Sequence, residues 1–134
     1  MAILYAIEPE LSAVEFQAVL IASTLAERRP AQDLRRLEKM LRAADIIVTA
    51  RDGGHLVGIA RAITDFAYCC YLSDLAVDVD YQRQGIGKRL IAETRQTAGE
   101  IATLILVAAP AAASYYPKIG MQKLESAWAI PRIG

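Results

Sequence analysis

Leu75-Ala76-Val77-Asp78-Val79-Asp80-Tyr81-Gln82-Arg83-Gln84-Gly85-Ile86-Gly87-Lys88-Arg89-Leu90 is the stretch whose reading decides the fold. Its first part alternates, with Leu75, Val77 and Val79 set against Asp74, Ala76 and Asp78. That is the two-residue period of a strand with unlike faces. A polar loop with two glycines follows, and beyond it Ile86, Leu90 and Ile91 share one helical face. The predicted unit is strand, glycine loop, helix. The first turn of a helix carries N–H groups with no partner inside the helix, and glycine lets that backbone approach a ligand. Such a turn attracts anions, by about 0.3–1 kcal/mol per charge when exposed and up to ~2 kcal/mol when partly buried. Arg83, Lys88 and Arg89 add positive charge beside it. A phosphate-bearing ligand is the expected occupant.

Two well-known phosphate loops do not fit. In a P-loop the glycine before Gly87-Lys88 would stand where Gln82 is, and Ser or Thr where Arg89 is. The dinucleotide fingerprint G-x-G-x-x-G fails at Leu90. Taken alone, the loop is explained equally well as a tight strand-to-helix turn.

Outward from the loop the chain reads as one mixed α/β unit, residues 1–134. TLILVAA at 103–109 is continuously apolar, as expected of a strand buried on both faces beside a parallel neighbour. Residues 72–107 then form one right-handed crossover. Upstream, IIVTA at 46–50 and HLVGIARAIT at 55–64 flank Asp52-Gly53-Gly54, a hairpin signal, and a further strand covers roughly 68–79. AILYAI at 2–7 reads as the first strand. Ser12 with Glu15 is a capping-box pattern opening a helix that Pro30 interrupts. A second helix starts near Asp33, with Leu34, Leu37, Met40, Leu41 and Ala44 as its apolar stripe. Downstream, a short alanine-rich helix leads to Tyr115-Tyr116-Pro117, then Gly120 and a last strand near 121–130.

Composition narrows the function. The 134 residues carry 15 Lys+Arg against 15 Asp+Glu, so the chain lacks the basic excess of a nucleic-acid binder. Yet Glu8, Glu10 and Glu15 fall in the first 24 residues, whereas Arg83, Lys88, Arg89 and Arg95 crowd positions 82–95. Neutrality overall is compatible with a local cradle for one polyphosphate. A hydrophobic fraction of 54% excludes a disordered chain. The two cysteines, Cys69 and Cys70, are adjacent, which excludes a disulfide framework and makes a metal site implausible. A reducing, cytoplasmic setting is expected. The N-terminus lacks a signal peptide's basic region, and no apolar run approaches the ~20 residues of a membrane span.

Gln82-x-x-Gly85-x-Gly87 resembles the [RQ]-x-x-G-x-[GA] signature of the GNAT superfamily of acetyl-CoA-dependent N-acetyltransferases. The approach Leu75–Tyr81 looks like that family's fourth strand. Ser114-Tyr115-Tyr116-Pro117-Lys118-Ile119-Gly120-Met121 looks like its later A-x-x-F-Y-x-K-x-G-F segment. Residues 23–30 and 64–71 look like a subgroup of small bacterial members. The resemblance implies a central mixed, mostly antiparallel sheet of about six to seven strands, flanked by about four helices. A V-shaped splay would separate the fourth and fifth strands. It also implies acetyl-CoA as cosubstrate. Main-chain groups of Gln84, Gly85, Ile86 and Gly87 would hold the pyrophosphate, with Gln82, Arg83 and Lys88 beside them and Ser114 and Lys118 nearby. The pantetheine arm would lie along Leu75, Ala76 and Val77. Tyr116 matches the family's general acid, and a phenol of pKa ≈ 10 does hold its proton at neutral pH. Where the family often carries Asn after the fifth strand, this chain has Ala108-Ala109-Pro110. Pro117, beside the tyrosine, is expected to break the last turn.

The acceptor is expected to be a small-molecule or peptidic primary amine. Asp74 is the candidate base, against a solvent-facing strand carboxylate as the plainer reading. Asp65 could draw in a cationic amine or be an ordinary turn carboxylate. Arg28 and Arg29 lie where the family shapes its acceptor site, and would suit an acidic group on the substrate. His55 is expected to be a turn residue, and Trp128 a core or homodimer-interface residue. The leading reading is direct transfer in a ternary complex. The alternatives are a non-catalytic coenzyme A-binding sensor or interaction module on the same fold, and a different phosphate-ligand binder such as a nucleotide module.

Overall fold

The computed structural model describes residues 2–134. The elements run β1 (Ile3–Ile7), α1 (Ala13–Ala22), α2 (Leu34–Ala43), β2 (Ile46–Asp52), β3 (His55–Thr64), β4 (Cys69–Val77), α3 (Ile86–Ala98), β5 (Thr103–Leu106) and α4 (Tyr115–Lys118). Short 3-10 turns occur at Leu25–Arg28, Val79–Tyr81 and Pro110–Ala112. Local chemistry accounts for several boundaries. Ser12 Oγ accepts from the Glu15 N–H at 3.1 Å, and Asp33 Oδ1 from the Arg36 N–H at 3.0 Å, so each helix start gains a partner for one orphan donor. The box at Ser12 is not reciprocal, because Glu15 turns its carboxylate to Arg51 instead. Between β2 and β3, Gly53 and Gly54 both take positive φ, the backbone that a two-residue hairpin loop demands.

The strands form one sheet in the order β1-β2-β3-β4-β5. Neighbours are antiparallel except β4 and β5, which are parallel. α1 and α2 cover one face with Phe16, Leu20, Leu37 and Leu41, against Ile47 and Ile59. α3 covers the other with Ile86 and Leu90, against Val48, Ala60 and Leu72. Full burial of side chains such as Phe16 and Leu20 contributes about 1.5–3 kcal/mol each. No helix among the described residues is long and apolar enough to cross a membrane.

Four expectations are corrected. The described residues form five strands, not six to seven. The strand expected near 121–130 is absent: that segment joins no ladder, and Trp128 is 94% exposed. Apolar composition supplies one side of a strand pair and cannot supply the partner edge. β5 ends at Leu106 and is only half-buried, because it lies at the edge of the sheet with no strand beyond it. Pro117 does not interrupt α4. It is the third residue of this single turn, where an N–H would have had no helical partner. Gly120, at φ +90°, then ends α4, with the Met121 N–H on Tyr116 O at 3.2 Å and the Gly120 N–H on Pro117 O at 3.1 Å.

The feature that positions the site is a bulge in β4. Asp74 pairs with Arg61, but the next pair is Leu72 with Ala62, leaving Ser73 as the extra residue. The extra residue inverts the alternation. Cys70 and Leu72 pack on the α3 side before it, while Leu75 and Val77 take that side after it and Ala76 joins α1 and α2. β5 pairs with β4 only from Cys69 to Leu72. Beyond the bulge, Ser73–Val77 therefore has no partner on its β5 side, and the sheet opens there.

Candidate functional site

The glycine loop joins the open end of β4 to α3. Asp78 shapes its start: Oδ1 accepts from the Asp80 N–H at 2.9 Å, and its carbonyl accepts from the Tyr81 N–H at 2.8 Å. Tyr81 Oη donates to Asp52 Oδ2 at 2.8 Å, tying the loop to the hairpin. Gln82 Nε2 donates to Val77 O at 3.0 Å, so this side chain holds the end of β4. Arg83 then adopts φ +64° and Gly85 φ +83°. For arginine the left-handed region costs about 1–2 kcal/mol, so the surrounding turn imposes it. Positive-φ residues in such a turn make an anion-binding concavity of main-chain N–H groups.

α3 opens into that concavity. Gly85 offers no side-chain cap, and the first helical bond is Arg89 N–H to Gly85 O at 3.1 Å. The N–H groups of Ile86, Gly87 and Lys88 thus have no partner within the helix. Arg83 and Lys88 are exposed and form no ion pair among the described residues. Arg89 is spent locally: it bridges Glu93 at 3.1 Å and stacks over the Tyr5 ring at 4.6 Å. A set of orphan donors with two free cations fits a polyphosphate, and the unpartnered edge of Ser73–Val77 fits an extended arm that hydrogen-bonds like a strand.

α4 reaches the same loop. Tyr115 packs its hydroxyl against Gly87 and faces the Lys88 N–H, which offsets part of burial's upward push on the phenol. Tyr116 meets Tyr115 edge to face, with ring centroids 5.2 Å apart and planes at 76°. Burial, with the neighbouring Tyr115, raises the Tyr116 phenol above its ordinary value. Tyr116 therefore keeps its proton at neutral pH. Ser114 and Lys118 flank the pair and are exposed.

The acceptor-side candidates are distributed differently. Asp74 is fully buried, not solvent-facing, and each carboxylate oxygen accepts from a guanidinium Nε: Oδ1 from Arg29, Oδ2 from Arg61. Arg29 is half-buried, while Arg28 is exposed and gives its carbonyl to Arg29 Nη1 at 2.8 Å. Asp65 is committed to the β3–β4 turn. Its Oδ1 accepts from Ala67, Tyr68 and Cys69 N–H at 2.9, 2.8 and 3.1 Å, and these bonds lower its pKa. His55 is exposed, but it opens β3 and pairs with Asp52 rather than lying in the turn. Arg61 and Ser73 belong to this cluster and escaped the sequence reading. The usable signal was a lone charge within the apolar run HLVGIARAIT, which demands a buried counter-charge.

Comparison with known proteins bears on the fold and the family. Residues 43–123 match the model of the acetyltransferase (GNAT) domain family. An uncharacterized N-acetyltransferase (ycf52) of Pyropia yezoensis is 34% identical over 98 residues, covering 67% of this chain and 55% of that protein. A homologue named in the same way from Porphyra purpurea is 33% identical over the same length. The chain thus spans about half the length of the curated relatives it matches. Among solved structures, a GNAT family acetyltransferase from Streptococcus pneumoniae TIGR4 superposes with a TM-score of 0.79 at 22% identity, covering 99% of this chain and 98% of that one. A probable acetyltransferase of unknown function from meticillin-resistant Staphylococcus aureus gives 0.80 at 22% identity, covering 99% of both chains. These likenesses concern the fold. Together with the family match over residues 43–123, they establish that the chain belongs to the GNAT acetyltransferase domain family.

Proposed function

We propose that this chain, acting as a single 1–134 domain, transfers the acetyl group of acetyl-CoA to a primary amine of a small-molecule or peptidic acceptor. The observation that carries this reading is the uncapped first turn of α3, with its two free cations, set at the end of a β4 edge that has lost its β5 partner. Acetyl-CoA, when bound, supplies an activated acetyl group as a thioester. The main-chain N–H groups of Gln84, Gly85, Ile86 and Gly87 bind the pyrophosphate, and Arg83 and Lys88 neutralise it. Gln82 supports the turn through Val77. Leu75, Ala76 and Val77 offer backbone groups to the pantetheine, and a backbone N–H of that edge stabilises the developing oxyanion. Tyr116 Oη holds the proton that the departing thiolate needs. Ser114 and Lys118 border the cofactor side. Arg28 and Arg29 border the acceptor side with Asp65 farther out on its turn. The neutral amine attacks the thioester carbonyl directly, since Cys69 and Cys70 lie on the paired part of β4. As the C–N bond forms and the C–S bond breaks, Tyr116 gives its proton to the thiolate and regains one, through solvent, from the acetylated nitrogen. A cytoplasmic location and a homodimer complete the reading.

Thermal shift with CoA, acetyl-CoA, ATP and NAD tests the cofactor assignment. Stabilisation by CoA and acetyl-CoA is expected, and stabilisation by ATP alone would overturn it. A panel of primary amines, with thiol release as readout, then tests transfer.

A further inference from the structure

At Ser73, β4 carries one residue more than β3 and leaves β5 at the same point. Three polar side chains converge on this bulge. Arg29 Nη2 donates to the bulged carbonyl, Ser73 O, at 2.7 Å. Arg61 Nη2 donates to Ser73 Oγ at 3.0 Å, and Arg61 Nη1 reaches Met40 O at 3.4 Å. Buried Asp74 holds both guanidinium groups together through its two oxygens. Apolar side chains would fill the same space at lower desolvation cost. What they could not do is satisfy the Ser73 carbonyl that the bulge releases from the ladder, or the Ser73 hydroxyl beside it. The triad also joins three segments far apart in sequence: the loop between α1 and α2, β3, and β4.

On the acetyl-CoA reading above, we infer that Asp74, Arg29 and Arg61 are positioning residues. Their ion triad fixes the Ser73 bulge, and so fixes the angle at which the Leu75–Val77 edge faces the opening. Asp74 acts through this clamp and does not take the proton of the amine. Both of its oxygens are held by guanidinium N–H groups, and no part of it reaches solvent.

Calorimetric titration with CoA tests the clamp, alongside hydrogen exchange at Leu75–Val77 and the melting temperature of the unliganded protein. Arg29→Met leaves the Arg61–Asp74 pair in place but strips Asp74 Oδ1 and Ser73 O of their donor, so the melting temperature should fall by several degrees while the fold survives. Exchange at Leu75–Val77 should rise, and CoA should bind about tenfold more weakly, the scale of one lost charge-assisted hydrogen bond. Arg29→Lys should recover only part of the loss, because a point charge cannot reach Asp74 and Ser73 O together as the guanidinium fork does. Unchanged exchange and CoA affinity in Arg29→Met would overturn the clamp. So would an Asp74→Asn protein that binds CoA like the wild type but releases no thiol with any amine, the pattern of a lost base. If Asp74→Asn does not fold, Arg29→Met decides alone. If wild-type protein does not bind CoA, the acetyl-CoA reading fails, and the exchange of the unliganded variants still decides the clamp.

Discussion

The hydroxyl of Tyr115 closes over Gly87, so that a β-carbon on Gly87 would stand 3.0 Å from it. This contact joins α4 to the first turn of α3. It explains why the second glycine of the loop is needed for space. The first, Gly85, is needed for its positive φ.

A double-mutant cycle measures that contact. Alanine in place of a helical glycine contributes about 0.8–1 kcal/mol through helix propensity, while crowding of this kind costs about 1–3 kcal/mol. Gly87→Ala alone should therefore be neutral to destabilising. Adding Tyr115→Phe removes the crowded atom and should make the double variant more stable than the two single effects predict. Urea midpoints of the four proteins give the coupling. Simple additivity would mean that Tyr115 already avoids Gly87 in solution.

Gly58 is hemmed in on three sides. A β-carbon there would meet Leu90 Cδ1 at 3.1 Å, Ile86 Cγ2 at 3.2 Å and Ala50 Cβ at 3.3 Å. These neighbours are core atoms and cannot all retreat. Gly58→Ala should destabilise by about 1–3 kcal/mol. Because Ile86 and Leu90 carry α3, CoA affinity should fall with it. A variant as stable as the wild type would show that α3 is less closely seated on β3.

Tyr116→Phe should slow acetyl transfer by about 10²–10⁴-fold, the usual worth of a positioned acid, and leave the CoA dissociation constant nearly unchanged. Burial raises the Tyr116 pKa above 10.0. The acid form therefore persists through neutrality, and the wild-type rate should fall only at higher pH, as that proton is lost. This alkaline limb should be missing from the variant. Full turnover by Tyr116→Phe would remove Tyr116 from the chemistry.

Acid stability should depend on Glu8. Arg51 donates to it from Nε at 2.8 Å and from Nη2 at 2.9 Å, and Thr49 Oγ1 donates as well. The bonds from Arg51, ahead of the opposing effect of burial, lower its pKa from 4.5. A carboxyl with a lowered folded pKa stabilises above its unfolded value, and that stability drains away as pH falls toward the folded value. Glu8→Gln should reduce the melting temperature at pH 7 and narrow the gap to wild type as the pH drops below about 4.5. An equal gap at pH 7 and pH 3 would mean that the ion pair contributes nothing.

Much of this molecule is legible in its sequence, because the rules involved are short-range. Ser12 and Asp33 cap the helices that they precede, Gly53-Gly54 turns the hairpin, and the spacing of Gly85 and Gly87 marks the loop that opens α3. In each case the deciding contact lies within a few residues along the chain. The bulge at Ser73 is different, since nothing near it in sequence announces it. It appears only when β3 and β4 are in register and Arg29, 44 residues away, reaches its carbonyl. Asp74 follows the same logic. Its place on a strand could be read, but its burial between Arg29 and Arg61 depends on α1, α2 and β3 closing over it. The absent strand after residue 120 shows the converse, since Leu124, Trp128 and Ile130 are apolar enough for a strand but find no edge to join. The sequence by itself determined where the chain turns, which helices it caps and which glycine loop opens α3. Only the tertiary structure decided that Asp74 lies buried between two guanidinium groups, because an ion pair depends on where distant segments meet.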